Sequence, residues 1–281
     1  MLVQKWNFLF ELPVYLPPSS LKMKNPVVMI AFGTTSRAKS TYESLHEKIS
    51  NHFPDREVFW AFSSRIITSR LNRKSEKKTW QPKEILHHLA RSGYRSPIVQ
   101  SLHLFPGTEF NALKKLLSEM ELPCRTGSPL LTSPSDYTEI CSILKPLIAP
   151  SSDTATVLIG HGTRHPAWTG YFSLEKYLRL HCGDNIYVGT VEDFPDTSGL
   201  VAQIAAEGFR KVRLIPFFLV AGMHYKRDIT GKNDASWQSR FRKKGIKAEA
   251  IEQGLGTLAG FDRLIIRHIE EAAEIPSEDQ T

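Results

Sequence analysis

The sequence predicts an α/β protein of two similar lobes, each a parallel β-sheet flanked by helices. Three observations predict it. First, short apolar runs with the character of buried strands each lead through a glycine turn into a helix-like segment. Val27-Val28-Met29-Ile30-Ala31 runs into Phe32-Gly33-Thr34, and Val157-Leu158-Ile159 runs into Gly160-His161-Gly162-Thr163. Second, Ile85-Leu86-x-x-Leu89-Ala90-x-x-Gly93-Tyr94-Arg95 returns as Leu200-Val201-x-x-Ile204-Ala205-x-x-Gly208-Phe209-Arg210. The offset of 115 residues, Gly93 to Gly208, holds through the next apolar run and on to Gly107 and Gly222. Third, Phe59-Trp60-Ala61-Phe62-Ser63-Ser64 matches Tyr187-Val188-Gly189-Thr190-Val191-Glu192 at an offset of 128, Phe59 to Tyr187.

Each repeated unit reads as an amphipathic helix, a glycine stop and an apolar strand. Alternation of that kind implies parallel sheets with helices on both faces. Residues 1–24 read as an N-terminal extension, 25–133 as the first lobe and 134–281 as the second, with its last helix placed to pack back on the first. The join falls near the Ser/Pro-rich segments 127–136 or 149–153. Parallel sheets bind ligands beyond the carboxyl ends of their strands, so the active site is expected in the inter-lobe cleft.

Composition removes several classes of function. Hydrophobic residues at 41% and charged residues at 23% argue against disorder of the whole chain. No run approaches the ~20 apolar residues that cross a bilayer. The apolar stretch Trp6–Phe10 is broken by Glu11 and Pro13, with no clear cleavage site after it. Cys124, Cys141 and Cys182 have neither disulfide-framework nor zinc-thiolate spacing, which suits a reducing compartment. A cytoplasmic protein with no membrane partner is expected. The net charge of +7 favours a polyanionic partner. The basic run Arg70 to Lys78 reads as a solvated surface loop, so no nucleic acid is expected. No P-loop, GxGxxG, GxSxG or HExxH pattern occurs, which leaves no support for an organic cofactor. The chain is compatible with a homo-oligomer.

The repeat also locates candidate chemistry. The carboxyl ends of the three matched strands carry Phe32, Ser64 and Glu109 in the first half, and His161, Glu192 and His224 at equivalent strand ends in the second. Two imidazoles and a carboxylate suit cobalt, nickel, iron or zinc better than magnesium or calcium. Three protein ligands leave coordination positions open, as catalytic sites do. Singly, each has a plainer reading: a turn histidine, or for Glu192 an acid at a helix N-terminus. Asp228, four residues after His224, could fix that imidazole's tautomer or simply cap a helix. His103 and Glu109 are candidates to face the same site from the first half. The Phe32-Gly33-Thr34-Thr35-Ser36-Arg37 turn is a candidate anion site at a helix start.

At these residues the chain resembles the anaerobic sirohydrochlorin cobaltochelatases of vitamin B12 synthesis. The resemblance rests on Gly160-His161-Gly162, Val191-Glu192 and Leu219-Val220-Ala221-Gly222-x-His224 with Asp228. It extends to Ala31-Phe32-Gly33-Thr34, Ala61-Phe62-Ser63-Ser64 and Gln100-Ser101-Leu102-His103 with Gly107-x-Glu109. Asp234-x-Ser236-Trp237 and Gly254-Leu255-Gly256 also match. Tyr225 and Lys226 depart from the pattern. The resemblance implies a chelatase-like fold and insertion of Co2+, with Fe2+ and Ni2+ as alternatives, into sirohydrochlorin or a similar polycarboxylate tetrapyrrole. It implies that His161, Glu192 and His224 hold the metal, which is a substrate. Phe32, Gly33, Thr34, Ser64, His103, Glu109, Arg37 and Arg164 are the expected substrate contacts, and Arg65, Lys226 and Arg227 add positive charge nearby. The rival readings are an iron chelatase and a non-catalytic haem- or metal-binding protein.

Overall fold

A computed structural model describes residues 25–36, 39–74, 78–148 and 153–274. The extension 1–24 and Arg37 lie outside the described residues. Two compact units account for the rest: residues 25–35, 39–74, 78–130 and 265–274 form one, and Ser36 with 131–148 and 153–264 the other.

In the first unit the apolar runs form β1 (Val27–Ala31), β2 (Val58–Phe62) and β3 (Ile98–Ser101). These strands are parallel. β4 (Arg125–Gly127) adds in parallel beside β3, and β9 (Ala273–Glu274) closes the edge antiparallel, in the order β2-β1-β3-β4-β9. The helices are α1 (Ser40–His52), α2 (Arg65–Lys74), α3 (Pro82–Arg91), α4 (Thr108–Ser118) and the end of α9 (Phe261–Glu270). β1 is buried throughout, as a strand covered on both faces must be.

The second unit has β5 (Thr154–Gly160), β6 (Ile186–Thr190), β7 (Lys211–Pro216) and β8 (Lys247–Ala250), all parallel, in the order β6-β5-β7-β8. Its helices are α5 (Pro134–Leu144), α6 (Thr169–Cys182), α7 (Leu200–Ala206) and α8 (Trp237–Lys243). The four parallel strands of each unit follow the same order, so the sequence repeat is a repeat of fold. Gly93 and Gly208, at matched positions, take φ of +84° and +86° where the matched helices stop.

Local sequence explains the helix starts. Gln81 and Glu84 form a capping box ahead of Pro82 in α3. Ser133 and Asp136 do the same for α5, where the Asp136 carboxylate accepts the Ser133 backbone N–H at 2.7 Å. The basic run is not a loop where it is described: Arg70–Lys74 are the last turns of α2, a helix with Thr68 as its buried residue. Helix-forming side chains on a mostly solvated face carry little apolar pattern, which is why the run reads as a loop.

Candidate active site

His161 follows the last residue of β5, and Val191 and Glu192 follow the last residue of β6. Gly160 pairs with Thr190 in the parallel ladder. Hydrogen bonds continue past the strand ends: Val191 N–H donates to Gly160 at 3.0 Å and Glu192 N–H to His161 at 2.9 Å. Thr163 N–H then donates to the Phe194 carbonyl at 3.0 Å, so the two loops run together. The closeness requires glycine at 162. A Cβ there would stand 1.7 Å from the Glu192 carbonyl oxygen, and the residue takes φ +87°. The Tyr171 hydroxyl accepts the Gly162 N–H at 3.0 Å. In the first unit Tyr42, also nine residues beyond its glycine, engages the backbone of Gly33.

His224 arrives differently. It does not lie at a strand end: β7 stops at Pro216, and a loop leads to His224, the residue before a single π turn, Tyr225–Ile229. Residues 254–256 pin that loop. Leu255 N–H donates to Phe218 at 2.8 Å and Gly256 N–H to Leu219 at 3.0 Å. A Cβ on Gly254 would meet the 219–221 backbone at 2.7–2.8 Å. Ser236 caps α8, whose Trp237 is buried against Gly189 of β6.

One ligand atom from each of His161, Glu192 and His224 lies within 4.8 Å of the other two. The imidazole centroids are 4.7 Å apart at 80°. His224 Nδ1 is 2.7 Å from Asp228 Oδ2, and His161 Nδ1 is 3.2 Å from the Gly162 carbonyl. Protonated at Nδ1, both rings keep Nε2 for an ion. Burial raises the Asp228 carboxyl, but hydrogen bonds from Arg227 and His224 together outweigh it and hold it below its usual range. Asp228 is therefore an anion behind the imidazole.

The model of the cobalt chelatase (CbiK) family matches residues 25–274. The chain belongs to that family. Sirohydrochlorin cobaltochelatase of Salmonella typhimurium is 29% identical over 266 residues, covering 92% of this chain and 99% of the relative. Sirohydrochlorin cobaltochelatase CbiKC of Nitratidesulfovibrio vulgaris is 29% identical over 281 residues, covering 97% and 98%. Among solved structures, SirB from Bacillus subtilis with Fe3+ superposes with a TM-score of 0.63 at 14% identity, covering 92% of this chain and 98% of that one. SirB from Bacillus subtilis subspecies spizizenii, in complex with cobalt, gives 0.59 at 11% identity, covering 89% and 95%. At those identities the likeness shows the fold, α/β with parallel sheets flanked by helices.

The other candidate residues of this family member are placed as follows. Phe32 is exposed beyond β1 and Thr34 is buried. Gly33, at φ +99°, leaves no spare room: a Cβ would meet Ile67 at 3.0 Å. The Ser64 hydroxyl accepts the Ile67 N–H at 3.4 Å and so helps to start α2. His103 Nδ1 lies 2.8 Å from the Ser101 hydroxyl, while its buried Nε2 has no hydrogen-bond partner among the described residues. Burial lowers its pKa and the nearby Glu109 charge raises it, with a net lowering that favours neutral imidazole. Glu109 is exposed in the first turn of α4, where an acid also suits the helix dipole. Arg164 donates from Nε to Asp193 Oδ1 at 2.7 Å. Glu192 is not a helix N-terminal acid, since α7 begins at Leu200.

Sequence reasoning missed an aromatic cluster on the segments that follow His161 and Glu192 in the chain. Trp168 contacts Phe172 at 5.5 Å and Phe194 at 6.5 Å between centroids. Phe172 and Phe194 are 55% and 51% exposed. The i, i+4 spacing of Trp168 and Phe172 was the signal available, and it reads equally as ordinary helix packing. Arg227 lies near the triad, as the sequence reading has it, and its guanidinium contacts Asp228 and Glu192, pairings the sequence did not indicate.

Asp228→Asn is expected to lower Co2+ affinity and insertion rate by about 10- to 100-fold with little change in fold, because a carboxylate hydrogen-bonded to a metal-binding imidazole orients the ring and raises its basicity. Calorimetric Co2+ titration and circular dichroism check it. Wild-type affinity in the variant would mean Asp228 does not act on His224.

Proposed function

We propose that this chain inserts Co2+ into sirohydrochlorin in cobalamin biosynthesis, with His161, Glu192 and His224 as ligands of the incoming ion. The observation that carries the reading is the meeting of these three ligand atoms within 4.8 Å in a chain of the cobalt chelatase family. The names of the two relatives support the macrocycle and the metal.

Insertion strips water from the ion and releases two pyrrole N–H protons per metal taken up. In this mechanism the two Nε2 atoms and a Glu192 oxygen replace water on the ion. One imidazole, once the ion has left it, takes one pyrrole proton and solvent water takes the other, since histidine exchanges protons near neutral pH. Glu192 offsets the ion's charge while it is held. Trp168 and Phe194 offer an apolar surface to the face of the macrocycle, and Arg164 and the net +7 charge suit its carboxylates. Phe32, Gly33, Thr34, Ser64, His103, Glu109 and Arg37 remain candidates for further contacts. No helix among the described residues is long and apolar enough to cross a membrane. Cys124, Cys141 and Cys182 are free thiols, which fits the cytoplasm.

Purified protein mixed with sirohydrochlorin and Co2+, Fe2+ or Ni2+, followed by absorbance, tests the reading. Many turnovers with Co2+ are expected, faster than with the other metals. Tight binding of the macrocycle with less than one turnover for every metal would make the protein a carrier instead. Faster turnover with Fe2+ would make it an iron chelatase.

A further inference from the structure

His224, Asp228, Arg227 and Glu192 form a continuous chain of polar contacts. Arg227 donates from Nε to Asp228 Oδ1 at 2.8 Å and from Nη2 to Oδ2 at 3.0 Å, a two-pronged grip. Asp228 Oδ2 also meets His224 Nδ1 at 2.7 Å. The same Arg227 Nη2 reaches Glu192 Oε1 at 3.5 Å. Glu192 comes from the loop after β6 and Arg227 from the π turn after β7. One guanidinium thus holds the carboxylate behind one histidine and touches the carboxylate of the ligand set.

We propose that Arg227 is a positioning residue that keeps the ion site weak, its charge beside Glu192 opposing a divalent ion there while its fork on Asp228 holds His224 in place. The inference rests on the reading of the triad as the ion site. Arg227 and an incoming divalent ion would share the Glu192 carboxylate. A permanently charged guanidinium within hydrogen-bonding reach of Glu192 competes with any ion that the same oxygens approach. The Arg227 side chain is 58% exposed, so water and salt screen the effect to a modest size. Weak holding suits the reaction. An ion bound tightly before transfer deepens the ground state and adds nothing to the rate of leaving it. A lysine could supply the charge but not the fork on Asp228.

The test uses the full chain and Co2+ alone, without macrocycle. Arg227→Gln is expected to bind Co2+ about three- to tenfold more tightly than wild type in calorimetric titration, a difference that shrinks as salt is raised. Arg227→Lys, which keeps the charge and loses the fork, should bind Co2+ no more tightly than wild type. In the insertion assay Arg227→Gln should lower both kcat and the KM for Co2+, the split expected of an over-stabilised ground state. Equal or weaker Co2+ binding by Arg227→Gln, or tightening by the lysine variant as large as by the glutamine variant, would overturn the proposal. Wild-type protein that takes no Co2+, with His161→Ala no different, would instead overturn the ion-site reading and this inference with it.

Discussion

His224→Ala is expected to lower Co2+ insertion by about 100-fold or more while leaving the fold intact. The expected loss exceeds that of Asp228→Asn, because the proposed ligand itself is removed rather than the carboxylate behind it, and loss of such a supporting group already costs about 10- to 100-fold. The fold should survive because the side chain is partly exposed and its contacts among the described residues are local, to Asp228 and the rings of His161 and Phe218. The residue's backbone, with φ −61° and ψ −40°, suits alanine. His161→Ala should behave alike, since its ring is exposed beyond β5. Two measurements check this together: the initial rate of the absorbance change on insertion, and the thermal midpoint. A rate within twofold of wild type in both variants would remove the histidines from the mechanism. A large drop in thermal midpoint would show instead that packing had been lost.

How far the sequence could lead depended on what repeats and what does not. The fold was legible because parallel strands are buried on both faces and read as continuous apolar runs, as β1 and β5 do. The matched glycines at 93 and 208 then fixed the phase of the repeat. The fourth strands were not legible: Lys247–Ala250 alternates exposed and half-buried residues, and Arg125–Gly127 is three residues long. A strand as short as β4, or an edge strand such as β8, has no apolar run to announce it. His161 and Glu192 were readable as strand-end residues because the ladder continues into them. His224 was readable through its offset from Gly222, although it sits beyond a loop that no strand pattern describes. The Arg227 contacts and the π turn that carries them depend on side-chain reach, and a charged run such as Lys226-Arg227-Asp228 looks the same on any solvated surface.

Gly162→Ala separates the two halves of that lesson, because it leaves every candidate ligand in the sequence and spoils the place where they meet. Its Cβ would fall 1.7 Å from the Glu192 carbonyl oxygen, a backbone atom with no flexible end to yield. The φ of +87° adds strain for any residue with a side chain. Either the turn after β5 or the loop carrying Glu192 must move, and a shift of about 1 Å at a reacting centre is worth about 100-fold in rate. Stability should fall as well, by about 2–4 kcal/mol, the range of mutations that combine overpacking with backbone strain. Gly208→Ala is the matching control. It has nearly the same φ, +86°, but nothing within 4 Å of the added Cβ, and it follows α7, away from the ligand loops. It should cost about 1 kcal/mol of stability through strain alone and leave insertion unchanged. Insertion rate and thermal midpoint, measured on both variants, distinguish the outcomes. Equal losses of activity in the two would mean that Gly162 matters only as a left-handed residue. A loss confined to Gly162→Ala would mean that the close approach of the His161 and Glu192 loops is what builds the site.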